Sequence, residues 1–449
     1  MPIGETFMGE EEFIDFQKHF GTQESVVTDF IKYDPPEMRY SMANVPIGYT
    51  KRTESVFTLD LSKSRRILIL GQAGSGKSTL SNCIMDRFIK AGGAMTIFDL
   101  KGEYIYKDKP LPDKFSKKIL RAKDGTERPL YMLPQEKAQG FPISCYYPIF
   151  LQNLRKTATG KQKSLLASEK ICQLGMSNLT KADFFTFFEQ ITAQNPRYYD
   201  ILEELWAGIQ DNGLYDWDAM IAFIKESGSF DKLSGKTLVR VLSIMRDNQI
   251  LGDQFEEPAL VEDIKNKKIG ILDLQGLLEL PSSVSPALVY VNIMMRRIYN
   301  AKVQNIIPKA VHNMIYIDEV NKFVPKLGET PAKREFLKSL DLVRSEHISM
   351  MYSTQDYNRI PQTLIEQSDY VFIPYNSSLD NMAEIIKMIL PQEYQTPQTF
   401  KPKIAFLQSL MKKLPDGRRD WLCISKVDKK RDFFMPVLPL SYFLQEGEG

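Results

Sequence analysis

The sequence predicts an α/β protein built on a mostly parallel sheet with helices on both faces. Three observations predict it. A glycine-rich stretch, residues 71–79 (GQAGSGKST), joins an apolar run to a helical pattern. Short apolar runs recur at 67–70, 95–98, 269–272, 314–317, 348–353 and 370–373, several of them ending in acidic or polar residues. Runs without alternation suit strands covered on both faces, and the helical patterns between them suit crossover connections.

Taken in order, residues 1–50 are mixed and partly acidic, broken by Pro35-Pro36, and are expected to form an arm or a small cap. The first part of the core is expected over 51–135, its strand-and-helix alternation starting near Val56. A helix is predicted over 77–90. Leu80, Ile84, Met85 and Phe88 recur at helical spacing, and Gly92-Gly93 stops it. The strand 95–98 ends in Asp99. From 136 to 257 strand signals fade and aromatic-rich helical patterns (182–192 and 198–209) take over, so an α-helical insertion is expected there. The core resumes over 258–449. Its strand 269–272 ends in Asp273, and Ser285-Pro286 reads as the cap and first residue of a helix reaching Tyr299. The strand 314–317 runs into Asp318-Glu319, a helix is expected over 332–345, and strands follow at 348–353 and 370–373. Runs at 421–427 and 433–437 bracket a charged turn. They predict a hairpin at the sheet edge or a separate ribbon.

Composition excludes several classes. The chain has 449 residues, enough for a large core and about three domains by length. Its 58 Lys+Arg face 56 Asp+Glu, a formal net charge of +2, so any basic groove must be local. No stretch nears the roughly 18 apolar residues of a membrane span. The first residues lack the basic-then-apolar layout of a secretory signal. Cys83, Cys145, Cys172 and Cys423 are dispersed and there are three histidines, which argues against structural zinc and for a reduced, cytoplasmic setting.

The chemistry starts at the glycine-rich stretch. Glycines let the backbone curl so that successive N–H groups point at one anion, and the following helix adds its positive end. Gly71, Ala73, Gly74, Ser75, Gly76, Lys77, Ser78 and Thr79 are therefore the expected nucleotide-binding residues. Lys77 would reach the β- and γ-phosphates of ATP, and the Ser78 hydroxyl would ligate Mg²⁺. The second segment is MIYIDEVNKF, where Asp318 would hold Mg²⁺ and Glu319 would polarise the attacking water. Alone, a strand ending in two solvated acids explains it as well; the upstream loop favours the catalytic reading. The third is SMMYSTQ, whose Gln355 would meet the γ-phosphate or the attacking water. The fourth is IFDLKGEY, with Asp99, Lys101 and Glu103. By spacing alone it reads as a turn carrying solvated charges.

The order GxxGSGKS, DLKGEY, a helical stretch, KIGILDLQGL, IDEVNKF and RSEHISMMYSTQ resembles the HerA/FtsK superfamily of P-loop ATPases. The HerA branch is the better match, and the likeness covers about residues 45–440. DLKGEY resembles that branch's D-x-x-G-E-Y, and ILDLQGL its hydrophobic-Asp-Leu-x-Gly strand. Arg344, eleven residues before Gln355, matches the arginine opening the family's R-x-x-G-I-x segment, with His347 at the glycine position. The resemblance implies RecA-like subunits in a ring, hexameric, which hydrolyse ATP between subunits and move double-stranded DNA through the pore. It also implies an arginine supplied by a neighbour, with Arg344 the first candidate and Arg240 and Arg246 the alternatives.

One departure matters. Cellular HerA proteins carry an N-terminal barrel that docks a nuclease, whereas about 65 residues precede the first core strand here. That argues against a nuclease docked this way and fits a shorter motor of viral or plasmid origin, in packaging, conjugation or secretion. DNA contacts are expected from two basic loops: 322–334, with Lys322, Lys326, Lys333 and Arg334, and 155–163. The alternative function is an ATP-gated ring scaffold that recruits a partner such as a nuclease and translocates little. A small-molecule kinase fits poorly with an insertion of roughly 120 residues.

Overall fold

The computed structural model describes residues 40–442 apart from 51–54, 113–118, 122–126, 130–131, 134–135, 153–168, 195–196, 214–215, 227–231, 248, 278–285, 328–332, 334–335, 338–345, 377, 390–403, 406–407 and 412–418. Its strands are β1 Val45–Thr50, β2 Val56–Leu59, β3 Arg66–Leu70, β4 Ala94–Asp99, β5 Ile119–Arg121, β6 Glu127–Pro129, β7 Ile143–Pro148, β8 Glu169–Cys172, β9 Ile269–Asp273, β10 Asn313–Ile317, β11 Ile348–Thr354, β12 Tyr370–Pro374, β13 Trp421–Ser425 and β14 Lys430–Pro436. The helices are α1 Lys77–Lys90, α2 Lys181–Gln194, α3 Arg197–Asn212, α4 Trp217–Glu226, α5 Lys232–Asp247, α6 Leu260–Lys265, α7 Pro286–Val303, α8 Val320–Phe323, α9 Gln362–Glu366 and α10 Leu379–Ile389.

Twelve strands form one sheet in the order β2-β1-β14-β13-β12-β3-β11-β10-β4-β9-β7-β8, while β5 and β6 make a separate antiparallel pair. From β12 to β8 every pairing is parallel; from β12 to β2 every pairing is antiparallel. The central strands β3, β4, β9, β10, β11 and β12 are buried along their whole length. Their alternate side chains feed two cores. Leu68, Leu70, Ile315 and Ile317 face one that also holds Phe184, Leu202, Met220, Leu238 and Ile293 from α2, α3, α4, α5 and α7. Ile67, Ile69, Met314 and Tyr316 face the other, which holds Leu80, Ile84 and Phe88 of α1. Period-2 side chains on a sheet covered on both faces account for the unbroken apolar runs.

Helix α1 starts at Gly76, whose φ of 89° is one that an L side chain rarely adopts, and ends where Ala91, Gly92 and Gly93 donate their N–H groups back to Arg87, Ile89 and Phe88. The helix is tied down by a buried acid. Asp86 accepts from Lys107 Nζ at 2.6 Å and from the backbone N–H groups of Leu440 and Ser441 at 2.8 Å, and all four residues are fully buried.

Three expectations differ from the structure. The stretch 136–257 is not helical throughout, because β7 and β8 lie within it and extend the sheet beside β9. The four helices follow only from Lys181. Of the stretch 1–50, residues 1–39 lie outside the described residues, while β1 pairs with β14 and so belongs to the sheet rather than to an arm. The strands β13 and β14 do form a hairpin, but β1 and β2 continue the sheet beyond it, so the hairpin is not at the edge.

Register decides what meets what. Leu70 at the end of β3 lies opposite Thr354, Ile317 at the end of β10 lies opposite Phe98 and Tyr352, and Asp99 lies opposite Asp273. The carboxyl ends of β3, β11, β10, β4 and β9 therefore share one rim, where open parallel sheets form their ligand crevices.

Candidate active site

The glycine-rich loop leaves β3 at Gly71, whose N–H donates to the Thr354 carbonyl at 3.2 Å. A Cβ at Gly71 would lie 2.4 Å from Ser75 Oγ and 2.9 Å from Pro374 Cγ, so the close turn requires glycine. Ser75 Oγ is buried and hydrogen-bonds no group among the described residues. A buried hydroxyl left in this way, inside a curled loop at the head of α1, fits a phosphate oxygen. Lys77 is buried too, and its Nζ donates to the Gln72 carbonyl at 2.9 Å.

Across the rim, β10 delivers Asp318 and Glu319, 2% and 7% exposed. Asp318 Oδ1 accepts from the Glu319 N–H at 3.0 Å, the Tyr316 hydroxyl at 3.4 Å and the Ser353 hydroxyl. Asp318 Oδ2 accepts no hydrogen bond among the described residues. Glu319 has a φ of 50°, unusual for a side-chain-bearing residue, at the head of α8. The turn aims its carboxylate back over the rim, where Oε2 accepts the Gln355 N–H at 3.2 Å. Thr354 Oγ1 donates to Asn321 on α8 at 3.0 Å and accepts the Asp356 N–H, which fixes the end of β11.

The segment after β4 enters the same site. Asp99 accepts the N–H groups of Lys101 at 3.1 Å, Gly102 at 2.8 Å and Tyr104 at 2.9 Å, which pins the turn. Lys101 Nζ then reaches Asp318 Oδ2 at 3.4 Å and Glu319 Oε1 at 3.2 Å. Glu103, 7% exposed, accepts from the Ser78 hydroxyl at 3.2 Å. These charges are not solvated, contrary to the reading of DLKGEY by spacing.

Electrostatics follow from crowding acids in a dry place. Burial, reinforced by the Asp318 charge, pushes Asp99 up to about 6, against the pull of its backbone hydrogen bonds. Burial and Asp318 likewise push Glu103 up to about 8, with Lys101 and Ser78 opposing. Burial alone would lower Lys101, but Asp318, Glu103 and Glu319 outweigh it and hold the ammonium above its ordinary value.

The structure thus brings the 71–79 loop, Asp318, Glu319 and the backbone of Gln355 to one rim. Most other candidate residues lie on the surface or outside the described residues. Arg246 is engaged by Asp218 at 2.6 Å and Asp247 at 3.0 Å, while Arg240 is exposed on α5. In the 322–334 loop, Phe323, Val324 and Lys333 are buried and Pro325 is partly so, whereas Lys322 and Lys326 are exposed. Arg344, Arg334 and the 155–163 loop lie outside the described residues. Spacing alone missed Lys101, Glu103, Tyr316 and Ser353. The signal for Tyr316 was its place two residues before Asp318, on the same side of the strand path.

The Helicase HerA central-domain family matches residues 45–298. The chain belongs to that family. As a HerA-family chain it also shares its fold with two solved structures. VirB4 of Thermoanaerobacter pseudethanolicus aligns over 87% of this chain and 96% of its own, at 11% identity and a TM-score of 0.53. The bacterial conjugative coupling protein TrwB, lacking its first 70 residues, aligns over 91% and 92%, at 11% identity and a TM-score of 0.52. The fold is therefore RecA-like α/β with a large, mostly parallel sheet. The genome packaging NTPase B204 of Sulfolobus turreted icosahedral virus 2, in complex with ATPγS, aligns over 84% and 98% at 12% identity, with a TM-score of 0.35. Among curated proteins, none matches this sequence. Among the described residues, no helix is long and apolar enough to cross a membrane.

Proposed function

We propose that this HerA-family chain is the subunit of a ring-forming ATPase that hydrolyses ATP between subunits and drives double-stranded DNA through the ring. One observation carries the reading: the phosphate-type loop, the Asp318-Glu319 pair and the end of β11 meet at a single rim. Membership in a family named for a helicase and the fold shared with a conjugative coupling protein support work on nucleic acid.

In this reading the 71–79 backbone cradles the phosphates, and Lys77 leaves the Gln72 carbonyl to pair with the β- and γ-phosphates. The Ser78 hydroxyl and Asp318 Oδ2, a buried oxygen with no hydrogen bond among the described residues, would hold Mg²⁺. When bound there, Mg²⁺ would supply charge neutralisation of the phosphates. Glu319 orients and deprotonates the attacking water, Gln355 contacts the γ-phosphate, and Arg344 of a neighbouring subunit stabilises charge on the transferring group.

The test pairs an ATPase assay, with and without duplex DNA, with electron micrographs of the same samples. The expected outcome is hydrolysis stimulated by duplex DNA, in rings of six whose pore holds DNA. Hydrolysis indifferent to DNA, in particles without a ring, would reduce the assignment to an ATPase of another purpose.

A further inference from the structure

We propose that Lys101 is a built-in counter-ion of the metal position, an ammonium that occupies Asp318 and Glu319 until a divalent cation displaces it. The proposal rests on the reading of Asp318 as the Mg²⁺ ligand.

Oxygen accounting leads to it. Asp318 Oδ1 is engaged by the Glu319 N–H, Tyr316 and Ser353, which leaves Oδ2 as the oxygen open to a cation. Lys101 Nζ stands 3.4 Å from that oxygen and 3.2 Å from Glu319 Oε1, with its side chain only 27% exposed. A divalent cation coordinates carboxylate oxygen at about 2.1 Å, so it and the ammonium would be like charges in contact. Both cannot stay. The backbone cannot carry Lys101 away, because Asp99 grips the turn through three N–H groups. The side chain must swing instead, and a lysine's flexible stem permits this.

Displacement has a second consequence. The same ammonium holds Glu319 Oε1, the carboxylate assigned to the attacking water. Removing it frees Glu319 only when the metal is in place. Lys101 is therefore a positioning residue that makes the base conditional on the cation.

The experiment titrates Mn²⁺ into the full chain with saturating ADP, read by electron paramagnetic resonance. Lys101→Met, a neutral side chain of similar length, is expected to tighten Mn²⁺ binding about tenfold by removing the competing charge. Lys101→Arg is expected to stay near the parent. A general structural defect would weaken Mn²⁺, not tighten it, so equal or weaker binding in Lys101→Met overturns the proposal. A second measurement needs no variant: acylation of Lys101 in the unsubstituted chain, followed by mass spectrometry with the exposed Lys322 as reference. Labelling of Lys101 is expected to accelerate several-fold when Mn²⁺ and ADP are added, and unchanged or slower labelling overturns the proposal. If ADP and Mn²⁺ bind with equal affinity to parent and variant, Lys101 alone is misassigned. If neither binds the parent chain, the nucleotide site itself is wrong.

Discussion

Lys77, Glu319 and Gly71 make different demands on the same site, and their substitutions separate those demands. Lys77 supplies a cation at the head of α1, and its Nζ makes a 2.9 Å hydrogen bond to Gln72 within the loop itself. Lys77→Ala is expected to abolish ATP hydrolysis; turnover at the parental rate in a steady-state assay would remove the loop from the chemistry. Glu319→Gln keeps an oxygen for the Gln355 N–H but loses the base. It is expected to lower kcat by about 10²- to 10⁴-fold while retaining ATPγS, so that ATP is trapped. Loss of ATPγS binding would instead mark Glu319 as a structural acid. Gly71→Ala forces a methyl group to 2.4 Å from Ser75 Oγ, so the loop must shift. Nucleotide affinity, measured by fluorescence of a labelled ATP analogue, is expected to fall while α1 and its helical signal persist.

Individual elements differ in how far the sequence discloses them, and packing explains why. β3, β4, β9, β10, β11 and β12 were legible because a strand buried on both faces must be apolar at every position. Helix α1 was legible to the residue because its glycines act locally at both ends. β1 was not, since VPIGYT carries Pro46 and Gly48 and becomes a strand only by lying against β14. β7 and β8 were absorbed into the expected helical insertion, because they lie towards the far edge of the sheet and are not buried along their whole length. The site follows the same division. The loop and the acidic pair announce themselves by spacing, whereas Lys101 and Ser353 matter only because β4 and β11 flank β10, an order set by tertiary pairing. The tie between α1 and the carboxyl-terminal segment is equally non-local. Asp86→Ala would leave the Lys107 ammonium buried without its partner and is expected to cost about 3–5 kcal/mol in urea unfolding. Ser441→Ala, which removes a hydroxyl bond to Asp86 alongside one to Lys107, is expected to cost about 1 kcal/mol. A loss for Asp86→Ala no larger than for Ser441→Ala would mean that the acid is not what fastens the helix.

At the scale of the whole molecule, the question is whether one subunit can complete its own site. In the proposed function the rim gathers a phosphate cradle, a metal donor and a base, and the cations that the described residues bring to it are Lys77 and Lys101. One is assigned to the phosphates and the other to the acids, so the charge that grows on the transferring phosphoryl group needs a further donor. Arg246 pairs with Asp218 and Asp247 at the surface and Arg240 is exposed on α5, so both stay available as alternatives. Arg344, eleven residues before Gln355, is the candidate for reaching a neighbour. Mixing decides it. Lys77→Ala subunits lack the phosphate cation but retain Arg344, while Arg344→Ala subunits have the converse defect. If Arg344 acts across an interface, random co-assembly at equal ratio creates intact sites at about one quarter of the interfaces, and ATPase activity reappears on mixing two inactive proteins. If Arg344 acts within its own subunit, every site in the mixture carries one defect. The rate then stays at the sum of the separate proteins at all ratios, and the shared-site architecture would have to be abandoned.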